Sequence, residues 1–210
     1  MPRPRTLLPL AGLPLLALLL APRPAAAQEW TGGLKLGGTV TTLSGDAASE
    51  LDPRTGWAGG FSLGYDFGTG LVVRPEVIYA VKGAYADLDV DGIPVRARST
   101  ISYAEIPLLV SYRYPHGTLH PVVYAGPMAA FKLDATIRFR ARGSDREQTE
   151  QDDSVQGFDY GAVVGTGLEW DVGGQRLSIE VRGSFGRANV REAEPPLRNT
   201  GAMLLVGVLF

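Results

Sequence analysis

Residues 131–141 read Phe-Lys-Leu-Asp-Ala-Thr-Ile-Arg-Phe-Arg-Ala, and their alternation decides the fold class. Phe131, Leu133, Ala135, Ile137, Phe139 and Ala141 share one parity, while Lys132, Asp134, Thr136, Arg138 and Arg140 share the other. Successive side chains of a β-strand point to opposite faces, so this segment has an apolar face and a strongly charged one. It outruns the usual strand of a small soluble sheet and matches the length that a tilted transmembrane strand requires. The expectation is an all-β fold, a closed antiparallel transmembrane barrel of about eight strands in meander order.

Other segments repeat the pattern. Trp30, Leu34, Leu36 and Val40 oppose Thr31, Lys35, Thr39 and Thr41, and Trp57, Phe61, Leu63, Tyr65 and Phe67 oppose small or polar neighbours. Leu71, Val73, Val77, Tyr79 and Val81 oppose Arg74, Glu76 and Lys82; Ile106, Leu108, Val110 and Tyr112 oppose Tyr103, Glu105 and Ser111. Later, Tyr160, Ala162, Val164, Leu168 and Trp170 oppose Asp159, Gly161, Gly165, Gly167 and Glu169. Leu177, Ile179, Val181 and Phe185 oppose Arg176, Ser178, Glu180 and Arg182, and Leu204, Val206, Val208 and Phe210 close the series.

The segments between strands alternate in length. Asp66–Gly70, Arg113–Leu119 and Val172–Gln175 are short, whereas Leu43–Gly56, Tyr85–Ser99, Arg142–Gly157 and Arg187–Asn199 are longer and polar. Bacterial barrels have short periplasmic turns and long external loops, so every long segment falls where that topology needs one. Aromatic residues on the apolar parity gather at two levels. Trp30, Tyr65, Phe67, Tyr112, Trp170 and Phe210 lie at the expected periplasmic ends, with Trp57, Tyr79, Phe139, Tyr160 and Phe185 nearer the other rim, as two interfacial girdles would require. A soluble sandwich or barrel would explain the alternation by turning the apolar faces inward, but not the two aromatic levels. Pro75, Pro107, Pro121 and Pro127 conflict with a ladder that needs N–H donors, and bulges or strand ends are expected beside them.

The start of the chain bears on its destination. Arg3 and Arg5 precede an apolar run from Leu7 to Leu20, and Ala25-Ala26-Ala27 offers a small-residue cleavage site, so residues 1–27 read as a cleaved signal peptide and 28–210 as the barrel. No later apolar run approaches the roughly 18 residues of a spanning helix. Of 20 Lys+Arg and 22 Asp+Glu, the leader removes Arg3, Arg5 and Arg23, which leaves an acidic mature chain and argues against nucleic acid as a partner. With no Cys there is no disulfide framework and no thiol chemistry, and none follows the cleavage site to carry a lipid.

A family resemblance rests on particular stretches. Arg74-Pro75-Glu76-Val77 with Tyr79 and Lys82-Gly83, Tyr103-Ala104-Glu105-Ile106-Pro107-Leu108-Leu109, and Tyr124-Ala125-Gly126-Pro127 resemble signature segments of the PorT-like group of small outer-membrane β-barrels. Gly161, Gly165, Gly167 and Glu169 are similar to its later glycine-rich strand. The resemblance covers essentially the whole mature chain and implies location in the outer membrane and barrel architecture. It implies no reaction.

No constellation reads as an active site. His116 and His120 are the only histidines, four apart around Gly117 in a short turn, and are expected to be solvated with no carboxylate joining them. No catalytic, cofactor-binding or metal residues are therefore expected, and no enzyme. Arg74, Glu76, Lys82, Glu105, Lys132, Asp134, Arg138, Arg140, Glu169, Glu180 and Arg182 share the inward parity. About eight strands leave a lumen just wide enough for side chains, so mixed charges there suit a plug of ion pairs better than a channel. Asp145, Glu147, Glu150, Asp152 and Asp153 in the third long loop lack the order of a calcium loop, and Arg187, Arg191 and Arg198 in the last are candidates to meet lipid phosphates or that acidic loop. The expected partners are outer-membrane lipid and, through a final strand ending at Phe210, the barrel assembly machinery.

Overall fold

The structure, a computed structural model, describes residues 29–44, 51–90, 93–141, 147–190 and 197–210. The signal peptide expected at 1–27 lies outside them. Among the described residues nine strands follow one another: β1 (Glu29–Ser44), β2 (Leu51–Asp66), β3 (Leu71–Val90), β4 (Ile93–Arg113), β5 (Leu119–Ala141), β6 (Glu147–Gln151), β7 (Phe158–Val172), β8 (Gln175–Gly186) and β9 (Arg198–Leu209). All pairings are antiparallel, and eight strands close a ring through β1–β9 and β4–β5, while β6 adds only to the outer end of β5. Closure leaves no edge strand among the eight, which a bilayer demands because nothing there can satisfy a free backbone group.

Exposure follows the expected parity. Trp30, Leu36, Phe61, Val110, Val181 and Val206 lie open on the outside, whereas Lys35, Arg74, Glu76, Glu105, Glu169, Glu180 and Arg182 are buried inside. This inverts a soluble barrel, which excludes that arrangement physically: the apolar surface must face lipid. The girdles form as expected, with Trp30 against Tyr65 (5.1 Å between ring centroids) and Tyr65 against Phe67 (4.8 Å) at one level, and Trp57 against Tyr79 (4.9 Å) at the other.

The decisive segment departs from its own reading halfway along. Ser102 pairs with Asp134, but the next residue, Tyr103, pairs with Lys132, so Leu133 is an extra residue bulged out of β5. A bulge reverses the facing of everything beyond it. Lys132 keeps its expected side, while Asp134, Arg138 and Arg140 turn out to be exposed and Ala135 is buried inside. Phe139 therefore leaves the girdle, and Phe131 packs at a tilt against Phe158, 5.3 Å between ring centroids, in its place.

All four expected long loops are partly strand, with β6 inside Arg142–Gly157 and β9 beginning inside Arg187–Asn199. Tyr85–Ser99 is almost wholly a continuation of the β3–β4 hairpin, paired from Tyr85↔Arg98 to Val90↔Ile93, and β1 and β2 extend well into Leu43–Gly56. The short turns fall at the expected places. Of the four prolines, Pro121 resolves as expected and the other three do not. Register shifts occur between Pro53 and Ala58 and between Ser102 and Tyr103, while the ladders instead lapse beside Pro75, Pro107 and Pro127, and Pro121 stands near the start of β5. Gly126 sits in one such lapse, where a Cβ would fall 1.9 Å from the Leu108 carbonyl oxygen, so the β4–β5 seam closes only around glycine.

Candidate functional site

Within the lumen the fold brings charged side chains from four strands together. β1 supplies Lys35, β3 Arg74 and Glu76, β7 Glu169, and β8 Glu180 and Arg182, each delivered inward by strand alternation. Lys35 Nζ lies 2.5 Å from Glu76 and 2.7 Å from Glu180; Arg182 lies 2.7 Å from Glu76 and 2.8 Å from Glu180. Arg74 reaches Glu169 at 2.9 Å and Glu180 at 3.5 Å, and the Tyr124 hydroxyl donates to Glu180 at 3.0 Å. Three cations thus meet three carboxylates, with Glu180 touching all three cations. Buried charges survive only when paired and hydrogen-bonded in this way. A second pair, Lys82 with Glu105 at 2.5 Å, stands beside Ser184, which accepts from Lys82 at 3.2 Å.

Apolar side chains fill what the charges leave. Leu109, Val122, Tyr124, Met128 and Val163 form one buried cluster, and Ala58, Ile78, Ala80, Met203 and Leu205 another. Over them, at the end with the long connections, Leu43, Ala84, Ile101, Tyr103, Ala130, Ala135, Val155 and Val190 make a lid-like layer against which Leu197 packs. Val155 and Val190 come from the connections after β6 and β8, held by Lys132 Nζ donating to the Val155 carbonyl (2.5 Å) and Gln156 N donating to that of Val190 (2.9 Å).

A sequence profile described as "Outer membrane protein beta-barrel domain" matches residues 26–190. The chain belongs to that family. It is an outer-membrane protein, and the PorT-like resemblance agrees with this at the level of location and architecture. None of the curated proteins compared with the chain matches it. Among solved structures, Neisserial surface protein A is 16% identical over 85% of this chain and 95% of its own, with a TM-score of 0.46. OprG from Pseudomonas aeruginosa is 11% identical over 87% and 97%, with a TM-score of 0.45. The outer membrane enzyme PagL is 13% identical over 82% and 97%, with a TM-score of 0.37. None of these likenesses carries a role to this chain.

With the short turns of this outer-membrane barrel toward the periplasm, the histidine reading needs correction. His116 is exposed, but His120 is buried, with Nδ1 2.9 Å from the Tyr114 carbonyl oxygen and Nε2 3.3 Å from Asp171 Oδ2. A carboxylate does join it, from a residue 51 positions away that β5–β7 pairing brings across. Partial burial pushes the Asp171 carboxyl upward, but the Arg176 hydrogen bond and charge, with His120, outweigh it and hold the group below the usual aspartate value. Arg176 also lies 3.7 Å from Glu169, so ion pairs run continuously from the periplasmic rim into the lumen.

The remaining sequence candidates scatter. Glu147 pairs with Arg140, and Asp152 is buried and accepts from the Ser154 hydroxyl at 2.5 Å, while Asp145 and Arg191 lie outside the described residues. Among the described residues no three His, Asp or Glu side chains are grouped to hold a metal.

Proposed function

We propose that this chain is a structural or interaction barrel: it anchors in the outer membrane, its lumen is plugged by side chains, and its polar external segments are the working surface. The observation that carries the reading is the charge-balanced cluster of Lys35, Arg74, Arg182, Glu76, Glu169 and Glu180, with distances of 2.5–3.5 Å across the lumen. A conducting path needs water along its length, and these groups spend most of their hydrogen bonds on one another, Arg182 Nε and Glu169 Oε2 being the exceptions. Ser184 meets Lys82 in the lumen, but that amine is already paired with Glu105 and donates to the hydroxyl, and the reading is non-enzymatic. A narrow passive channel is the second reading, since the same charged groups would line it if they parted. Liposomes carrying the refolded protein are expected to swell no faster in small sugars than empty ones; swelling that scales inversely with solute size selects the channel.

The partner proposed for assembly is the outer-membrane insertion machinery, reading the strand that carries Phe210. Phe210 exchanges backbone hydrogen bonds with Gly32 at 2.7 and 2.8 Å and keeps the lipid-facing parity of Leu204 and Val206. Deleting it is expected to lower the heat-modifiable folded fraction in cells while leaving refolding into detergent largely intact. Equal losses in both assays contradict the signal role and leave Phe210 a packing residue.

A further inference from the structure

A polar group separate from the plug lines the periplasmic mouth of the lumen. His120 stands opposite Glu169 in the β5–β7 ladder, and Asp171, two residues further along β7, stands opposite Arg176 of β8. Alternation puts all four side chains on the lumen face, the face of buried Val122 and Leu209.

His120 is set apart by the kind of partner that each ring nitrogen meets. Nδ1 lies 2.9 Å from the Tyr114 carbonyl oxygen, and Nε2 lies 3.3 Å from Asp171 Oδ2. A carbonyl and a carboxylate only accept. A neutral imidazole carries one N–H, so one nitrogen would turn its lone pair toward an oxygen lone pair. The residue is buried, which denies that nitrogen an alternative partner in water. The imidazolium, a donor at both nitrogens, makes both bonds.

The neighbouring charges come from three sides. Glu169 and Asp171 face the ring from β7, Arg176 from β8, and Arg113, Tyr114 and His116 from the end of β4 and its turn. Arg113 is committed to Asp66 at 2.6 Å, and Arg176 divides between Asp171 at 3.0 Å and Glu169 at 3.7 Å. His116 is exposed, with its ring 5.3 Å from that of Tyr114. Asp171 is therefore the carboxylate that His120 holds.

We propose that His120 is a proton-operated clasp on the periplasmic mouth: with both nitrogens protonated it ties the β4–β5 turn to the end of β7, and with one proton it lets Asp171 go. Nε2 is the nitrogen that gives up its proton, since its bond is the longer and its partner is 53% exposed to the water that takes the proton. Its lone pair then faces the carboxylate, and Asp171 is left to Arg176. Arg176 also reaches Glu169, and Glu169 holds Arg74, so the release is felt at the foot of the plug.

The sign of the pH dependence follows. The fold favours the doubly protonated ring, so this contribution to stability is present at low pH and is lost as rising pH removes the proton. Asp171 acts in the opposite sense. Burial raises its carboxyl, but the Arg176 hydrogen bond and charge, with His120, hold it below the usual aspartate value, so its contribution is present at neutral pH and is lost as pH falls through the acid range. The clasp is closed between these limits and opens on either side.

The test uses the full mature chain, labelled with nitrogen-15 histidine and folded in zwitterionic micelles, with His116→Gln as a companion sample that assigns the two rings. At a pH where the same chain unfolded in urea shows one bare nitrogen per imidazole, His120 of the folded barrel is expected to show two protonated nitrogens. Asp171→Asn should return one bare nitrogen, at Nε2, because the amide NH2 donates to it. Raising the pH until the second proton is gone should lower the folded-to-unfolded ratio of the unmodified protein about tenfold, the worth of one hydrogen bond to a charged group. Asp171→Asn should show no such fall, and its heat-modifiable band reports that it is folded. A bare nitrogen on His120 in the folded, unmodified protein at the first pH, or an unchanged ring in Asp171→Asn, overturns the assignment. Equal pH profiles of stability for the two proteins show that the bond to Asp171 ties nothing and overturn the clasp.

Discussion

Glu180→Gln is expected to destabilise the folded barrel by about 3–5 kcal/mol, the usual cost of leaving buried charges without their partner. The reason is concentration of contacts: Glu180 lies within 3.5 Å of Lys35, Arg74 and Arg182 and accepts from Tyr124. Glutamine keeps the shape and an acceptor oxygen but leaves three cations facing two carboxylates. Urea titration in lipid vesicles, followed by the fluorescence of Trp30, Trp57 and Trp170, measures the loss. Adding Lys35→Met should recover part of it, because one of the excess cations disappears; such non-additivity is the mark of a shared network. A loss below about 1 kcal/mol, the range of solvent-exposed ion pairs, would falsify the buried network.

Val164→Arg and Val206→Arg test the opposite face and should each cost about 2–4 kcal/mol, as a cation near the bilayer midplane does. Both side chains are about half exposed in the structure and point away from the lumen, so packing loss is small and lipid is the only environment that penalises them. Val40 shares that face but lies beyond the Gly38↔Trp57 pair, toward the external rim. Val40→Arg should cost only about 0–1 kcal/mol, because charge near the interface reaches water. The gradient between these positions carries more information than any single value. A uniform cost would mean that the outer face is not embedded as its aromatic levels indicate.

How much was legible follows from what each feature depends on. Alternation within a strand depends only on that strand, so Lys35, Glu76, Glu180 and Arg182 were assignable to the inside, and Trp30 and Trp57 to the two girdles. Features set by register between strands were not. Leu133 fits the apolar parity of residues 131–141 with or without a bulge, so nothing within the segment reveals that Asp134 and Arg138 turn outward; the shift appears only against Ser102 and Tyr103 of β4. His120 finds Asp171, and Arg54 finds Lys82 and Tyr85, across separations that only the closed sheet removes. The polar stretch Tyr85–Ser99 read as a loop because its charges mask a hairpin whose strands pair residue by residue. A signal was present there in the alternation of Val95, Ala97 and Ser99 with Arg96 and Arg98, on the same parity as the rest of β4.

The most direct measurement is the current through single molecules of the refolded protein in a planar lipid bilayer. A lumen closed by the Lys35–Glu76–Arg182–Glu180–Arg74–Glu169 cluster predicts a flat trace at moderate voltage in molar salt, with discrete steps emerging only when Glu180 and Arg182 are both neutralised. Reproducible steps from the unmodified protein, with a selectivity that reverses when Glu76 is replaced by lysine, would show that ions cross between these side chains and that the lumen is a pore.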